Sequence, residues 1–264
     1  MLRRSILSFS LLLGVVFATQ AQFNKDIFPL KQQFKNGGFY IFPHANYSIG
    51  NKEDGELSFS DTTYSFEVTG QGKFGYGLEL GWFHSFEKPS LIHYVEGGVS
   101  YRLFKGDAEH DGVLSTPTGT TNFKSDNTFD AQLLVASFRL VNVQQLKKYS
   151  FFSTALGFNY NYKIGEKYTR SSAYPLTDEK FIPESMAQVH LQFGIGFLES
   201  EKFLFVPTIE TPILTAYPTD DLNPAFSFFS AKYHPIMIGL KILFLREDPI
   251  NCNAPSYEGD RIGM

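Results

Sequence analysis

Apolar and small-or-polar residues alternate along eight segments of this chain, and the linkers between them alternate long and short. The segments run over 38–49, 73–86, 91–103, 128–142, 150–164, 186–197, 203–215 and 233–245. A period of two predicts β-strands with two chemically distinct faces. In the first segment Phe39, Ile41, Ala45, Tyr47 and Ile49 oppose Tyr40, His44, Asn46 and Ser48; in the fifth, Phe152, Leu156, Phe158, Tyr160 and Tyr162 oppose Ser153, Gly157, Asn159, Asn161 and Lys163. The fourth is the least regular. Phe129, Leu133 and Val135 break its alternation, which predicts a bulge that re-registers the strand.

The linkers complete the pattern. Residues 50–72, 104–127, 165–184 and 216–232 are long and polar, and are read as loops; 87–90, 143–149 and 198–202 are short. Short turns at one end and long loops at the other predict an eight-stranded antiparallel up-and-down transmembrane β-barrel over 38–245, with short turns and both termini in the periplasm. Apart from the leader, no apolar run approaches the roughly 18 residues of a membrane helix, so a membrane protein of this kind crosses with strands.

Alternation does not say which face points out, because a soluble lipocalin is also an eight-stranded barrel, with its apolar face inward. The position of the aromatic residues decides it. Tyr47, Tyr76, Tyr101, Tyr160 and Tyr162 fall near the long-loop ends of the apolar face; Phe39, Trp82, Phe152, Phe197, Phe205 and Phe244 fall near the short-turn ends. Two aromatic girdles are what a bilayer selects. The opposite face carries the glycines and most charges, which suits a narrow interior. The Gly-x-Trp motif of lipocalins is missing, since Leu80 stands two residues before Trp82.

The first 21 residues read as a cleaved signal peptide, with Arg3 and Arg4, an apolar stretch from Ile6 to Phe17, and Thr19-Gln20-Ala21 before the cut. Residues 22–37 then form a periplasmic N-terminal segment, and 246–264 a periplasmic tail containing Pro249, Pro255 and Cys252. The residue directly after the cut is Gln22 and not cysteine, so this is not a lipid-modified export signal. Removing Arg3 and Arg4 leaves 21 of the 23 basic residues against 27 acidic ones, a net charge of −6. There is no basic run to suit nucleic acid. A lone cysteine excludes an internal disulfide and a cysteine-type zinc site.

The export signal ending at Ala21-Gln22, the strands of alternating glycine and aromatic residues, and the last strand resemble the small outer-membrane β-barrel family common in Bacteroidota, often called PorT-like. The likeness covers 38–245 and implies fold and cell-outer-membrane location. One departure is the 19 residues that continue past the eighth strand.

An eight-stranded barrel fills its interior with side chains. The inward set includes His44, Glu79, Glu96, Arg102, Arg139, Lys163, His190, Glu210 and Lys241, a charge network that plugs the lumen, with Glu210 and Lys241 on adjacent strands as its best single pair. No catalytic site is read: His44, His84, His93, His190 and His234 stand in no Gly-x-Ser-x-Gly or His-Glu-x-x-His spacing. The stretch Asp107 to Gly112 mimics the start of a calcium loop, but Thr118 occupies the position that needs glutamate, so it reads as an acidic turn. No cofactor or metal is expected. The expectation is a non-enzymatic outer-membrane barrel acting as a structural or interaction component, including as a subunit of an export or assembly complex. Its partners would be outer-membrane lipid, lipopolysaccharide, and a protein held by the external loops or the tail. A narrow gated channel is the second reading and an outer-membrane lipid-modifying enzyme the third.

Overall fold

The computed structural model describes residues 37–245, apart from 51, 60, 87–90, 148–149, 171–183, 201–202, 219–223 and 228–232. The signal peptide, the N-terminal segment up to residue 36 and the tail with Cys252 lie outside the described residues.

The described chain is all strand and turn: β1 (Gly37–Gly50), β2 (Lys52–Phe59), β3 (Thr62–Ser85), β4 (Tyr94–Thr116), β5 (Gly119–Lys147), β6 (Ser150–Arg170), β7 (Ser185–Ser200), β8 (Phe203–Pro218), β9 (Pro224–Ser227) and β10 (Tyr233–Phe244). No helix among the described residues is long and apolar enough to cross a membrane. Every ladder is antiparallel. Because β1 pairs with both β10 and β3, the order β1-β10-β8-β7-β6-β5-β4-β3 closes on itself, and among the described residues these eight strands form a ring. The sheet holds two more strands than the alternation predicted. β2 follows β1 along the edge of β3, from Lys52↔Thr69 onward, and β9 adds to the end of β8.

The largest difference from the sequence reading lies in the supposed loops. β3, β4 and β5 contain 24, 23 and 29 residues, whereas a tilted strand crosses a bilayer in about 9–11. Residues 104–127 are therefore not a loop. They are the paired upper halves of β4 and β5, joined at Pro117–Thr118, in unbroken register from Tyr94↔Val141 to Thr116↔Gly119. Most of 50–72 is likewise strand, as are 165–170. One side of the ring rises well beyond the rest as a sheet of β2 to β6.

The expected bulge in the fourth segment is absent from β5. Phe129, Ala131, Leu133, Val135, Ser137, Arg139 and Val141 are all buried and stay in one phase. The register shift at Gln132/Leu133 falls on the partner strand, where Ile164 of β6 is the extra residue. A second shift, between Lys73 and Tyr76, re-phases β3. Phe129, Leu133 and Val135 looked out of phase because the inner face was expected to be polar throughout.

Candidate functional site

The ring's interior is filled in three layers. At the short-turn end an apolar cluster packs Tyr40, Phe42, Phe83, Tyr94, Phe151 and Leu204 with their neighbours. At the other end Val68, Phe104, Phe129, Leu133 and Val135 form a second cluster, with Phe66, Tyr168 and Met186 packed against it. Between them lie three carboxylates, Glu79, Glu96 and Glu210, and three cations, Arg102, Arg139 and Lys241, each at most 1% exposed.

Arg139 is the hub. Its Nη1 and Nη2 donate to Glu79 Oε1 (2.6 Å) and Oε2 (2.9 Å), and its Nε donates to Glu210 Oε2 (3.1 Å). A two-pronged guanidinium–carboxylate contact is the strongest such pairing available. The Tyr40 hydroxyl donates to Glu79 Oε1 at 2.5 Å, and Ser137 Oγ donates to the same oxygen at 2.9 Å. Glu210 also accepts from Asn159 Nδ2 (3.2 Å) and Gln192 Nε2 (2.9 Å), and lies 3.4 Å from His190 Nε2. Lys241 Nζ donates to Glu96 Oε2 (2.5 Å) and Gln192 Oε1 (2.8 Å), beneath the rings of Tyr40 and Phe42. Arg102 stands 3.6 Å from Glu79 and 3.7 Å from Glu210, and donates through Nε to Ser100. The connected set draws at least one member from every strand of the ring.

Glycines make room for it. A Cβ at Gly157 would come within 2.1 Å of His190 Nε2, one at Gly77 within 2.3 Å of His44 Nε2, and one at Gly98 within 2.5 Å of the Tyr40 hydroxyl. Gly77 and Gly157 face His44 and His190 directly across the ladder, and Gly81 and Gly98 lie in the row that Tyr40 reaches over from β1, which explains why glycines crowd this face.

Seven of the nine lumen residues read from the sequence, Glu79, Glu96, Arg102, Arg139, His190, Glu210 and Lys241, converge at this level. His44 is buried beside them, its Nδ1 3.1 Å from the carbonyl of Phe42. Lys163 is not part of the network: it sits near the mouth and donates to Glu166 at 2.5 Å. The expected Glu210–Lys241 pair is also incorrect. Glu210 is opposite Met237, so Lys241 lies four residues further along β10, about 13 Å away at strand spacing. Their partners are Arg139 and Glu96. Alternation places Tyr40, Ser137, Asn159 and Gln192 on the inward face, but as neutral side chains they were not picked out as members.

The outward face is apolar where the ring is complete. Phe74 is 75% exposed, Ile238 60% and Leu80 58%, a continuous surface far beyond what a soluble monomer shows. Trp82, Phe39, Phe244 and Phe203 fall in one register row on four neighbouring strands near the short turns, and Phe205 pairs with Phe197 beside them. Phe152, paired with Ile195, lies near the same end. Toward the other end, Tyr101, Leu134 and Tyr162 share a row, Tyr160 lies next to it opposite Ala136, and Tyr76 and Tyr47 lie on β3 and β1. Beyond these tyrosines the outward positions become charged. Lys73 pairs with Asp107 (2.8 Å), Lys105 approaches Asp130 (3.8 Å), and Lys124 pairs with Glu109.

Asp107, Glu109 and Asp111 therefore lie on the flat outer face of a strand and not in an acidic turn, while His110 points inward beside Asn127. Among the described residues no group of three His, Cys, Asp or Glu is placed to hold a metal ion. His84 lies between Trp82, at a tilt, and Phe86, edge-on, and His93 accepts the backbone N–H of Val143 at 3.2 Å; neither adjoins a nucleophile in these contacts. The side chain of His234 lies outside the described residues.

No protein-family model and no curated protein matches the chain. Among solved structures, the outer membrane protein OprG from Pseudomonas aeruginosa is similar at 10% identity over 81% of this chain and 96% of that one, with a TM-score of 0.33. The translocator domain of the autotransporter NalP from Neisseria meningitidis is similar at 9% identity over 91% and 97%, with a TM-score of 0.26.

Proposed function

We propose that this chain is an integral outer-membrane β-barrel with a sealed lumen and no enzymatic activity, acting as a structural or interaction component that presents its tall β2–β6 sheet outside the cell. Its short turns and both termini would face the periplasm, and a protein partner would be met by the raised sheet or the tail. The resemblance to PorT-like barrels agrees with this reading. The observation that carries it is the charge-balanced network joined across all eight ring strands, with an apolar cluster packed on either side of it along the barrel. A wide aqueous pore would leave these side chains hydrated. Here the six charged groups are buried, and each faces a group of opposite charge, as buried charges must.

The test is a pair of measurements on the full-length protein. In dodecyl sulfate, unboiled protein should migrate differently from boiled protein, as a closed barrel does. In planar bilayers it should show no large, steady unitary current. Soluble protein with no heat-dependent shift would remove the membrane reading, and stable large currents would promote a channel.

A narrow gated pathway is the second reading, supported by one specific feature. Arg102 Nη2, His44 Nε2, both ring nitrogens of His190 and Asn159 Oδ1 are buried with no hydrogen-bond partner in the same central layer. Such atoms suit ordered water, which a transient pathway would use. Brief, small currents that vanish in Arg102→Met would favour it.

A further inference from the structure

We propose that a row of lysines on the outer face of the raised sheet binds the phosphate groups of membrane lipid headgroups; this rests on the reading that the apolar belt lies in a bilayer. The register carries the proposal. Lys73 is opposite Lys105, Lys105 is opposite Asp130, and Asp130 is opposite Lys167, so three lysines and one aspartate form a single row across β3, β4, β5 and β6. Strand spacing makes that row about 14 Å wide. The row stands two residues beyond the Tyr76↔Leu103 pair and four beyond Tyr101↔Leu134↔Tyr162. The tyrosines mark the edge of the apolar belt, which puts the ammonium groups at headgroup depth, where long basic side chains extend to reach anionic lipid.

Charge is sorted by height along this face. The membrane-proximal row carries three positive charges against one negative. Further out, Glu109 is opposite Asp126, and Asp54, Glu67 and Asp111 share one row with Lys124. That outer row is six residues from the lysines, about 20 Å along the strand, against a screening length of about 8 Å at physiological salt. Asp107 stands one step beyond the lysines and is taken up by Lys73, while the Glu109–Asp126 and Asp54–Glu67–Asp111 rows lie beyond a screening length from the membrane-proximal row. Directly opposed like charges such as Lys73 and Lys105 destabilise a sheet, so a counter-ion shared between them offsets a local cost. Asp107 and Asp130 supply part of it. An ammonium group has three donors, and one carboxylate contact leaves the others for phosphate.

The test uses the full-length protein in mild detergent, with diphosphoryl lipid A and the same lipid stripped of phosphate as probes, and native mass spectrometry to count bound lipid. The wild type should retain the phosphorylated probe about ten-fold more strongly or better, given the usual contribution of each surface lysine near anionic lipid, and the preference should weaken with salt. Lys73→Gln with Lys105→Gln and Lys167→Gln should abolish the preference; Lys52→Gln with Lys124→Gln, which removes two charges from the distant rows, should keep it. A preference that survives the triple change, or that falls equally in the double change, overturns the proposal. Heat-dependent migration is checked in parallel for each variant. Normal migration without preference in the wild type overturns this proposal alone, whereas a wild type with no heat-dependent shift overturns the membrane reading and this proposal with it.

Discussion

Arg139→Met is the sharpest perturbation of the lumen, because one substitution removes the cation shared by Glu79 and Glu210 while keeping much of the side-chain volume. With Arg139 present, three carboxylates face three cations. Without it the layer carries one uncompensated negative charge. Glu79 keeps the Tyr40 and Ser137 hydroxyls, Glu210 keeps Asn159 and Gln192, and Arg102 remains 3.6 Å and 3.7 Å from the two carboxylates. Breaking a buried pair by removing one partner costs about 3–5 kcal/mol. A second route sets a ceiling. The layer regains neutrality if one carboxyl takes up a proton, which at pH 7 costs about 1.4 kcal/mol for each pH unit above an ordinary glutamate titration point near 4.3, or about 4 kcal/mol. Arg139→Met should therefore lose about 3–4 kcal/mol.

The assay is unfolding in urea, followed by the fraction that still migrates as folded barrel without boiling. The folded variant binds a proton that the unfolded chain does not, so its stability falls as pH rises above the ordinary carboxylate range. The deficit should shrink by about 1.4 kcal/mol for each pH unit on going from pH 7 to pH 5. Arg139→Met combined with Glu79→Gln restores the balance of charge and should recover most of the loss. A single variant within 1 kcal/mol of wild type at pH 7, or a deficit that does not depend on pH, would refute the claim that these groups are buried and mutually dependent.

Two further substitutions test the assignment of faces. Leu156→Arg or Ile238→Arg puts a charge on the outward apolar belt and should destabilise by about 2–4 kcal/mol in bilayers, read by the same unfolding assay; unchanged stability at both positions would contradict the belt. Gly157→Val drives a side chain into His190 and should cost about 1–3 kcal/mol by overpacking, with Gly157→Val plus His190→Ala recovering part of it; no effect of the single change would mean that the inner wall is looser than it appears in the packing.

How much of this was legible varied with the physics that set it. The strands of the ring could be read because lipid on one side and a narrow packed interior on the other impose a strict period of two. Leu156, Phe158, Tyr160 and Tyr162 could not have faced the lumen beside Asn159 and Asn161. The raised sheet was missed because its outward positions are polar. Gln71, Lys73, Asp107 and Glu109 alternate with small or modestly apolar residues, a pattern indistinguishable from a loop when only the lipid-facing signature is sought. Phe129, Leu133 and Val135 were misread for a related reason: nothing local says where along the lumen a polar layer gives way to an apolar one. Pairing across the barrel was the least legible. Glu96 and Lys241 are 145 positions apart in the chain and on strands that do not adjoin, so their contact depends on how the closed ring staggers its strands, which no single segment encodes.

That dependence on stagger suggests what the network contributes. A slip of one residue between two strands would turn every side chain to the wrong face, and the belt alone forbids it. A slip of two keeps apolar residues outward and is resisted only by what the lumen contains. In the present register Glu210 meets Arg139 and Glu96 meets Lys241; two residues along β8 or β10, each charge would be stranded among apolar neighbours at a cost of several kcal/mol. Replacing all six charged residues together by leucine or methionine removes that penalty without leaving any group unpaired. Such a barrel should be at least as stable as wild type yet populate more than one register between β8 and β10. Cysteines introduced by Ile238→Cys and Ile209→Cys, directly opposed in the structure, report the native register, and Ile238→Cys with Thr211→Cys reports the slipped one, with Cys252→Ser in both. The wild-type lumen should cross-link only in the first pair and the apolar lumen in both. If the apolar lumen also cross-links only through Ile209→Cys, the turns and the belt suffice to set the register, and the network does no more than fill the space.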